Sequence, residues 1–210
     1  MIVLSHRGYW KETIEKNQPI AFNRSFSLGF GTETDIRDYN GNLVISHDIA
    51  CSKSILVKDF FQLYNSYNLS LPLALNIKAD GLQFKLKELL KEYNIKNYFI
   101  FDMSVPDGLQ YLKTGITLYT RESEYETIPA FYNDAKGIWL DEFKSHWIDK
   151  EVIQKHINNT KKLCIVSPDL HNREHKAEWQ HYKDIEKELG IDSLMICTDF
   201  PEEAKEFFNE

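Results

Sequence analysis

The sequence predicts an α/β protein, a single (β/α)8 (TIM) barrel that is trimmed in length and has a small insertion after the second strand. Short apolar or alternating runs recur along the chain, each followed by a longer amphipathic stretch, which is typical of a parallel sheet covered by helices. The 210 residues suffice for one sizeable core but not for two comfortable domains, so one domain over residues 1–210 is expected. An open doubly wound sheet is the alternative.

Buried strands are predicted where short apolar runs are bounded by polar or turn-forming residues. They are Ile2–His6, Gly31–Ile36, Leu73–Lys78, Tyr98–Phe101, Ile116–Tyr119, Gly137–Leu140, Leu163–Val166 and Ser193–Cys197. Their number equals that of a closed barrel, although an open sheet can have as many. The dipeptide Asn40-Gly41 within "YNGNLVISHD" favours a tight turn, so a hairpin strand is expected as the insertion after the second strand.

Helices are predicted between these strands. In "GLQFKLKELLKEYNIK", leucines recur with a helical period against lysines and glutamates. The stretches "WIDKEVIQKHINNTKK" and "WQHYKDIEKELGI" have the same pattern, and Gly190 is suited to end the second of them as a C-cap.

Composition excludes several function classes. The net charge is −7 and lysines and arginines form no long cluster, so nucleic acid is not expected as a partner, whereas a small anionic substrate is compatible. No apolar run reaches the ~20 residues of a membrane span, and no signal peptide is recognised. An odd number of cysteines without close spacing favours reduced thiols and a cytoplasmic protein: Cys51, Cys164 and Cys197. The oligomeric state stays open.

Ionisable and polar side chains are concentrated where the predicted strands end. In a (β/α)8 barrel the carboxyl ends of the strands carry the chemistry, so these positions predict an active site. They are Ser5, His6, Arg7, Glu33, Asp35, Asn76, Lys78, Asp102, Tyr119, Arg121, Asp141, Ser167, Asp169, Thr198 and Asp199.

Glu33 and Asp35 lie on one face of the second strand because alternate residues of a strand share a face. Two close carboxylates repel unless a cation lies between them, and Mg²⁺ and Ca²⁺ prefer such oxygen ligands. A solvated edge strand is the simpler alternative. His6 and His47 follow two other apolar runs, and together with the carboxylates they indicate an acid–base pair beside a metal ion.

Five segments carry a resemblance to a known family: "SHRG" at 5–8, "TETD" at 32–35, "NGNLVISHD" at 40–48, "LNIK" at 75–78 and "CTDFP" at 197–201. In these segments the chain resembles the glycerophosphodiester phosphodiesterases, within the phosphatidylinositol-phosphodiesterase-like barrel superfamily. The resemblance implies a barrel fold, a role in lipid metabolism, and metal-assisted hydrolysis of a small glycerophosphodiester or another polyol phosphodiester.

The resemblance also implies a role for each matching residue. His6 and His47 would be the general acid and base. Arg7 and Lys78 would bind the substrate phosphate. The metal ligands would be Glu33, Asp35 and Asn76, and the cofactor a divalent cation, Mg²⁺ or Ca²⁺.

Three departures from the family pattern bear on these roles. The family usually has Pro-Glu-Asn-Thr after the first motif, whereas this chain has "EKNQ", in which Asn17 is kept and Lys16 replaces the glutamate. The third metal ligand of the family is normally a glutamate, whereas residue 76 is an asparagine, whose amide oxygen coordinates such ions but brings no charge. In the seventh strand the family often has Trp-Thr-Val-Asn against glycerol, whereas this chain has "CIVSPDLH", so the alcohol stays open. A non-catalytic relative that binds a phosphorylated ligand, and a metal-independent phosphodiesterase or lyase, are therefore the competing hypotheses.

Overall fold

A computed structural model describes residues 1–67 and 70–209 of the chain. These residues form two compact units, one of residues 5–118 and one of residues 1–4 with 119–210. The single domain predicted over residues 1–210 stays a prediction, and Asn68, Leu69 and Glu210 within it lie outside the described residues.

Strands and helices alternate along most of the described chain. The strands are β1 Ile2–His6, β2 Gly31–Tyr39, β3 Asn42–Ile45, β4 Ile55–Leu56, β5 Leu73–Ile77, β6 Tyr98–Phe101, β7 Tyr119–Ser123, β8 Gly137–Asp141, β9 Lys162–Val166 and β10 Met195–Thr198. The helices are α1 Pro19–Ser27, α2 Val57–Ser66, α3 Gln83–Glu92, α4 Val105–Thr114, α5 Lys150–Asn158, α6 Lys176–Leu189 and α7 Pro201–Asn209. The three predicted helical stretches contain all of α3 and α5 and most of α6. Gly190 ends α6 in a left-handed conformation (φ 63°).

Each unit has a parallel ladder. Within residues 5–118, β5 pairs in parallel with β2 on one side and with β6 on the other. This register places Asn76 beside Asp35 on one side and beside Phe101 on the other. In the other unit, β7, β8, β9 and β10 pair in parallel in that order. The carboxyl ends of neighbouring strands therefore lie together within each unit.

The predicted hairpin after the second strand is present. β3 pairs antiparallel to β2, and Asn40 (φ 46°) and Gly41 (φ 77°) both have the positive φ that a type I′ turn requires. β2 extends to Tyr39, beyond the predicted Ile36, because residues 37–39 pair with β3. A two-residue strand, β4, pairs with β3 and was not predicted.

The strand predicted at Ile116–Tyr119 is wrong in position, since β7 covers Tyr119–Ser123. Ile116 and Leu118 are buried, and Leu118 forms an isolated parallel bridge with Ile100, so this apolar run packs in the core just before the strand. The polar residues that follow form the strand because they pair with β8, from Tyr119 opposite Gly137 to Ser123 opposite Asp141. Arg121 therefore lies within a strand and not at its end.

The helices bury one face each. In residues 5–118, the rings of Phe22 on α1 and Phe60 on α2 lie 4.6 Å apart in the core, and both are buried. In the other unit, Trp179 on α6 is fully buried and its indole N–H donates to the Ser167 hydroxyl at 2.8 Å. Within the described residues, no helix has both the length and the apolar character needed to cross a membrane.

Gly8 is the tightest backbone position beside the end of β1. Its φ is +81°, and a Cβ there would lie 2.8 Å from the Ala21 Cβ and 2.9 Å from the Ala21 carbonyl carbon. Gly8→Ala is therefore expected to cost about 3 kcal/mol of unfolding free energy, from the left-handed backbone and from overpacking together. Gly115→Ala is the matched control, because a Cβ added to Gly115 (φ +76°) would meet no atom within 4 Å.

The control should lose only about 1 kcal/mol, the backbone part of the cost. Urea unfolding of both variants measures the difference. Equal losses for the two variants would contradict the expected collision between a residue 8 methyl group and Ala21.

Candidate active site

The first part of the site is the turn that follows β1. Arg7 has a left-handed backbone (φ 57°), and Gly8 continues the turn in the same region. This turn directs the Arg7 amide toward β2, where the N–H donates to Glu33 Oε2 at 3.2 Å. The tight turn after β1 thus brings the Arg7 backbone against the Glu33 carboxylate of β2.

Glu33 and Asp35 are buried in the middle of β2. Their exposed fractions are 2% and 0%, and both pair with β5, Glu33 opposite Ala74 and Asp35 opposite Asn76. The alternative of a solvated edge strand is therefore wrong. Burying two carboxylates in one strand is costly unless cations or hydrogen bonds compensate them, so their neighbours indicate what the site is built to hold.

Asp35 is the carboxylate with the most partners in the site. Arg7 Nε lies 3.1 Å from its Oδ2, and Lys78 Nζ lies 3.5 Å from its Oδ1. Asn17 Nδ2 also donates to Oδ2 at 2.7 Å, and the Asn17 amide is held in turn by the Thr34 hydroxyl, which donates to its Oδ1 at 2.8 Å. Two cations and an oriented amide therefore fix this carboxylate.

Glu33 has a different electrostatic environment. Burial, together with the nearby charge of Asp35, raises the pKa of Glu33 to about 8, although Arg7 and Lys78 act in the opposite direction. His6 Nε2 lies 4.0 Å from Glu33 Oε2, and the His6 side chain is 15% exposed. Burial thus disfavours the charged form of this carboxyl, which a bound cation would favour.

Asn76 lies beside Asp35 in the ladder and is 7% exposed. Its Oδ1 is a buried oxygen without a hydrogen-bond partner among the described residues, and the Asp35 Oδ1, likewise without a hydrogen bond, has the Lys78 ammonium 3.5 Å away. Buried polar atoms of this kind call for a ligand, and oxygen atoms of carboxylates and amides are those that Mg²⁺ and Ca²⁺ prefer. The residues at this position therefore fit a hard divalent cation.

His47 lies after β3, in the segment that follows the hairpin. Its side chain is 44% exposed, its Nδ1 lies 2.9 Å from Asp48 Oδ1, and its carbonyl accepts from Arg37 Nη2 at 3.3 Å. The hydrogen bond and charge of His47 lower the pKa of Asp48, and Arg7 contributes through its charge. These contacts join His47 to Asp48 and Arg37, and its role as acid or base stays a prediction.

The structure thus brings most of the predicted site residues together, around the carboxyl ends of β1 and β5 and the middle of β2. Direct contacts or ladder register join six of them: His6, Arg7, Glu33, Asp35, Asn76 and Lys78. Their roles stay predictions. Sequence reasoning placed Asp102 among the strand-end residues of the active site but gave it no specific role, and its Oδ2 lies 3.9 Å from Lys78 Nζ. Its position just after a strand was the available signal.

A second group of potential metal ligands lies in the other unit and was not predicted. Glu142, His146 and Glu178 offer ligand atoms within 4.8 Å of one another, so they could hold a metal ion. Arg173 already lies on both carboxylates, with Nη2 at 2.8 Å from Glu178 Oε1 and Nη1 at 3.7 Å from Glu142 Oε2. The guanidinium of Arg173 is thus paired with both carboxylates of this group.

Acidic residues at the strand ends of that unit are also paired. Asp141, the last residue of β8, has its Oδ1 2.6 Å from His171 Nε2. Asp169 accepts hydrogen bonds from the Thr198 hydroxyl at 3.0 Å and from the Asp199 amide at 2.8 Å. Asp169 therefore has a structural role in joining the segment after β9 to the end of β10.

Comparison with known proteins supports the fold. No protein-family description matches the chain, and no curated protein matches it in sequence. Solved structures do. One is a protein from Galdieria sulphuraria that is itself provisionally assigned as a glycerophosphodiester phosphodiesterase. Its TM-score is 0.78 at 17% identity, and the alignment covers 100% of this chain and 98% of that one.

Two further structures are similar over the full length. A glycerophosphodiester phosphodiesterase from Agrobacterium tumefaciens has a TM-score of 0.71 at 12% identity, with 100% of each chain covered. A phosphodiesterase from Oleispira antarctica, in complex with its product sn-glycerol-3-phosphate, has a TM-score of 0.68 at 13% identity and covers 100% of this chain and 97% of that one. The predicted fold class is confirmed: the chain has the (β/α)8 barrel fold of the glycerophosphodiester phosphodiesterases.

Proposed function

We propose that this protein is a metal-assisted phosphodiester hydrolase that acts on a small glycerophosphodiester-like or other polyol phosphodiester. The observation that carries the proposal is the buried Asp35, which holds Arg7 at 3.1 Å and Lys78 at 3.5 Å beside Glu33 and Asn76. Two cations and a set of hard oxygen ligands at one strand end are what a phosphoryl group in transfer requires.

The cations would bind the substrate phosphate. Arg7 can present a planar fork of N–H donors to two phosphoryl oxygens, and Lys78 adds a point charge. Both interactions strengthen as negative charge builds on those oxygens in the transition state, which lowers the barrier. Because Asp35 fixes both side chains in the free protein, little reorganisation is needed when the substrate arrives.

The histidines would move the protons. In the reaction an oxygen nucleophile, either water or a neighbouring hydroxyl of the substrate, forms a bond to phosphorus and the bond to the leaving alcohol breaks. One of His6 and His47 accepts the proton of the nucleophile, and the other donates a proton to the departing alkoxide. Imidazole suits both tasks because its ordinary pKa lies near neutrality.

Glu33, Asp35 and Asn76 would hold the cofactor, which we propose to be Mg²⁺ or Ca²⁺. When bound, such an ion stabilises negative charge on the phosphoryl oxygens. The ligand set carries two negative charges at most, because Asn76 is neutral, and burial raises the pKa of Glu33, which disfavours its charged form. We therefore expect affinity for the free ion to be modest and to rise when substrate phosphate adds its own oxygens.

The substrate class is supported by the bound product, sn-glycerol-3-phosphate, of the Oleispira antarctica phosphodiesterase. A phosphodiester of this kind is small and anionic, which the two cations of the site can recognise. A glycerophosphodiester substrate would assign the protein to lipid metabolism, and the odd number of cysteines favours a reducing, cytoplasmic location.

Turnover of glycerophosphocholine and of bis(p-nitrophenyl) phosphate tests the proposal, with Mg²⁺ or Ca²⁺ added and with EDTA in a parallel assay. We expect hydrolysis that EDTA removes and added metal restores. Hydrolysis that survives EDTA would favour the metal-independent enzyme, for which the close approach of Lys78 to Asp35 is the supporting observation. Binding of sn-glycerol-3-phosphate without turnover of either compound would favour the non-catalytic relative.

A further inference from the structure

Asp102 is a charged residue at the edge of the site that has no role in the function described so far. It follows β6 directly, and because Asn76 pairs with Phe101, Asp102 is the next residue beyond the partner of Asn76. Its backbone is left-handed (φ 68°), its side chain is 17% exposed, and its Oδ2 lies 3.9 Å from Lys78 Nζ. The carboxylate thus reaches the site from the strand next to the one that carries Asn76.

We propose that Asp102 is a positioning residue that supplies, through Lys78, the third negative charge that Asn76 does not provide. The proposal rests on the proposed function, since it concerns the same metal and phosphate site. The third charge would then come from Asp102, directly after β6, and not from residue 76 on β5.

The position of the Lys78 ammonium carries the argument. Its Nζ lies 3.5 Å from Asp35 Oδ1 and 3.9 Å from Asp102 Oδ2, so two carboxylates share one cation. Asp35 Oδ1 is one of the two buried oxygens suited to a divalent cation. Without Asp102, the attraction of Lys78 would be directed at Asp35, and the ammonium would compete there with the metal ion.

The charge balance of the site supports the same assignment. Arg7 and Lys78 are two cations, and Glu33 and Asp35 alone would leave no net negative charge to attract a divalent ion. With Asp102, three carboxyl groups face the two cations. Since affinity for hard cations follows the charge of the surrounding ligands, this one charge matters for binding.

Asp80 is another acid near the carboxyl end of β5, and it has a different partner. It is exposed, and both of its carboxylate oxygens accept from the Ser104 hydroxyl, at 3.0 and 3.1 Å. Lys78, in contrast, lies against Asp35 and Asp102. Asp80→Asn therefore removes the same charge from the same region without changing these ion pairs of Lys78.

The test is a calorimetric titration of the full chain with Mg²⁺, comparing the parent, Asp102→Asn and Asp80→Asn. Asparagine tolerates the left-handed backbone at residue 102 as aspartate does, so the variant should fold, which a thermal melt can verify. We expect Asp102→Asn to raise the Mg²⁺ dissociation constant by about 10-fold or more, the usual effect of losing a group that orients metal ligands. Asp80→Asn should change it by less than about twofold, as for a surface charge.

Two double variants separate a positioning role from a general loss of charge. In a Lys78→Met background, Asp102→Asn should have little further effect on Mg²⁺ affinity, because the side chain through which Asp102 acts is gone. Adding Asn76→Glu to Asp102→Asn should restore affinity, because it returns a charge to the ligand set.

The outcomes distinguish this proposal from the proposed function. A parent that binds Mg²⁺ and hydrolyses phosphodiesters, with an Asp102→Asn variant that binds equally well, overturns the role of Asp102 alone. An equal loss in the Lys78→Met background overturns the action through Lys78. A parent that binds neither Mg²⁺ nor Ca²⁺ overturns the metal site and the role of Asp102 with it.

Discussion

Replacement of His6 or His47 by alanine is expected to lower phosphodiester turnover by about 10²-fold or more, with little change in stability. His6 lies at the end of β1, 4.0 Å from Glu33, and His47 is 44% exposed, so neither side chain is a major part of the core. The loss should fall on kcat more than on KM, because proton transfer contributes in the transition state and Arg7 and Lys78 would still bind the phosphate.

His181→Ala is a suitable control, since His181 lies on α6 and packs against the His146 ring at 4.9 Å, outside the proposed site. Steady-state kinetics with bis(p-nitrophenyl) phosphate measures the effect, and unfolding curves establish that the variants are folded. The His6→Ala, His47→Ala double variant should be little worse than either single variant, as for residues that act as a unit. Turnover that survives in the double variant would place the proton transfers on other groups.

Mg²⁺ affinity is expected to rise steeply with pH between pH 6 and pH 8. Because the pKa of Glu33 is raised to about 8, this carboxyl is protonated at pH 6 and must lose its proton to become a ligand. Displacement of one proton lowers the apparent affinity by about tenfold for each pH unit below the pKa, so the rise over this range should be roughly 50-fold. Above pH 8 the affinity should level off.

Glu33→Gln is the matched variant, because glutamine resembles the protonated carboxyl in shape and carries no titrating group. It should bind Mg²⁺ weakly, and its affinity should depend much less on pH over the same range. Calorimetric titrations of both proteins at several pH values measure the two curves. A parent whose affinity is the same at pH 6 and pH 8 would exclude Glu33 as a ligand that releases a proton on binding.

Local sequence patterns predicted much of the fold. β1 and β6 have the predicted bounds, and the Asn40-Gly41 turn is present with both residues at positive φ, because short-range backbone preferences decide such features. The strand at residues 119–123 was missed for the opposite reason. Its residues are largely polar, and only pairing with β8 makes them a strand.

The sequence by itself determined which residue types stand at the strand ends, and thereby the candidate acid–base pair, phosphate cations and metal ligands. Tertiary structure alone decided how they are paired. Asp35 holds both Arg7 and Lys78, the Glu33 pKa is raised to about 8, and Asp102 reaches Lys78 from a neighbouring strand. The strength of these electrostatic interactions depends on burial and on distances of 3 to 4 Å between charged atoms. Both arise only when residues far apart in the chain pack together.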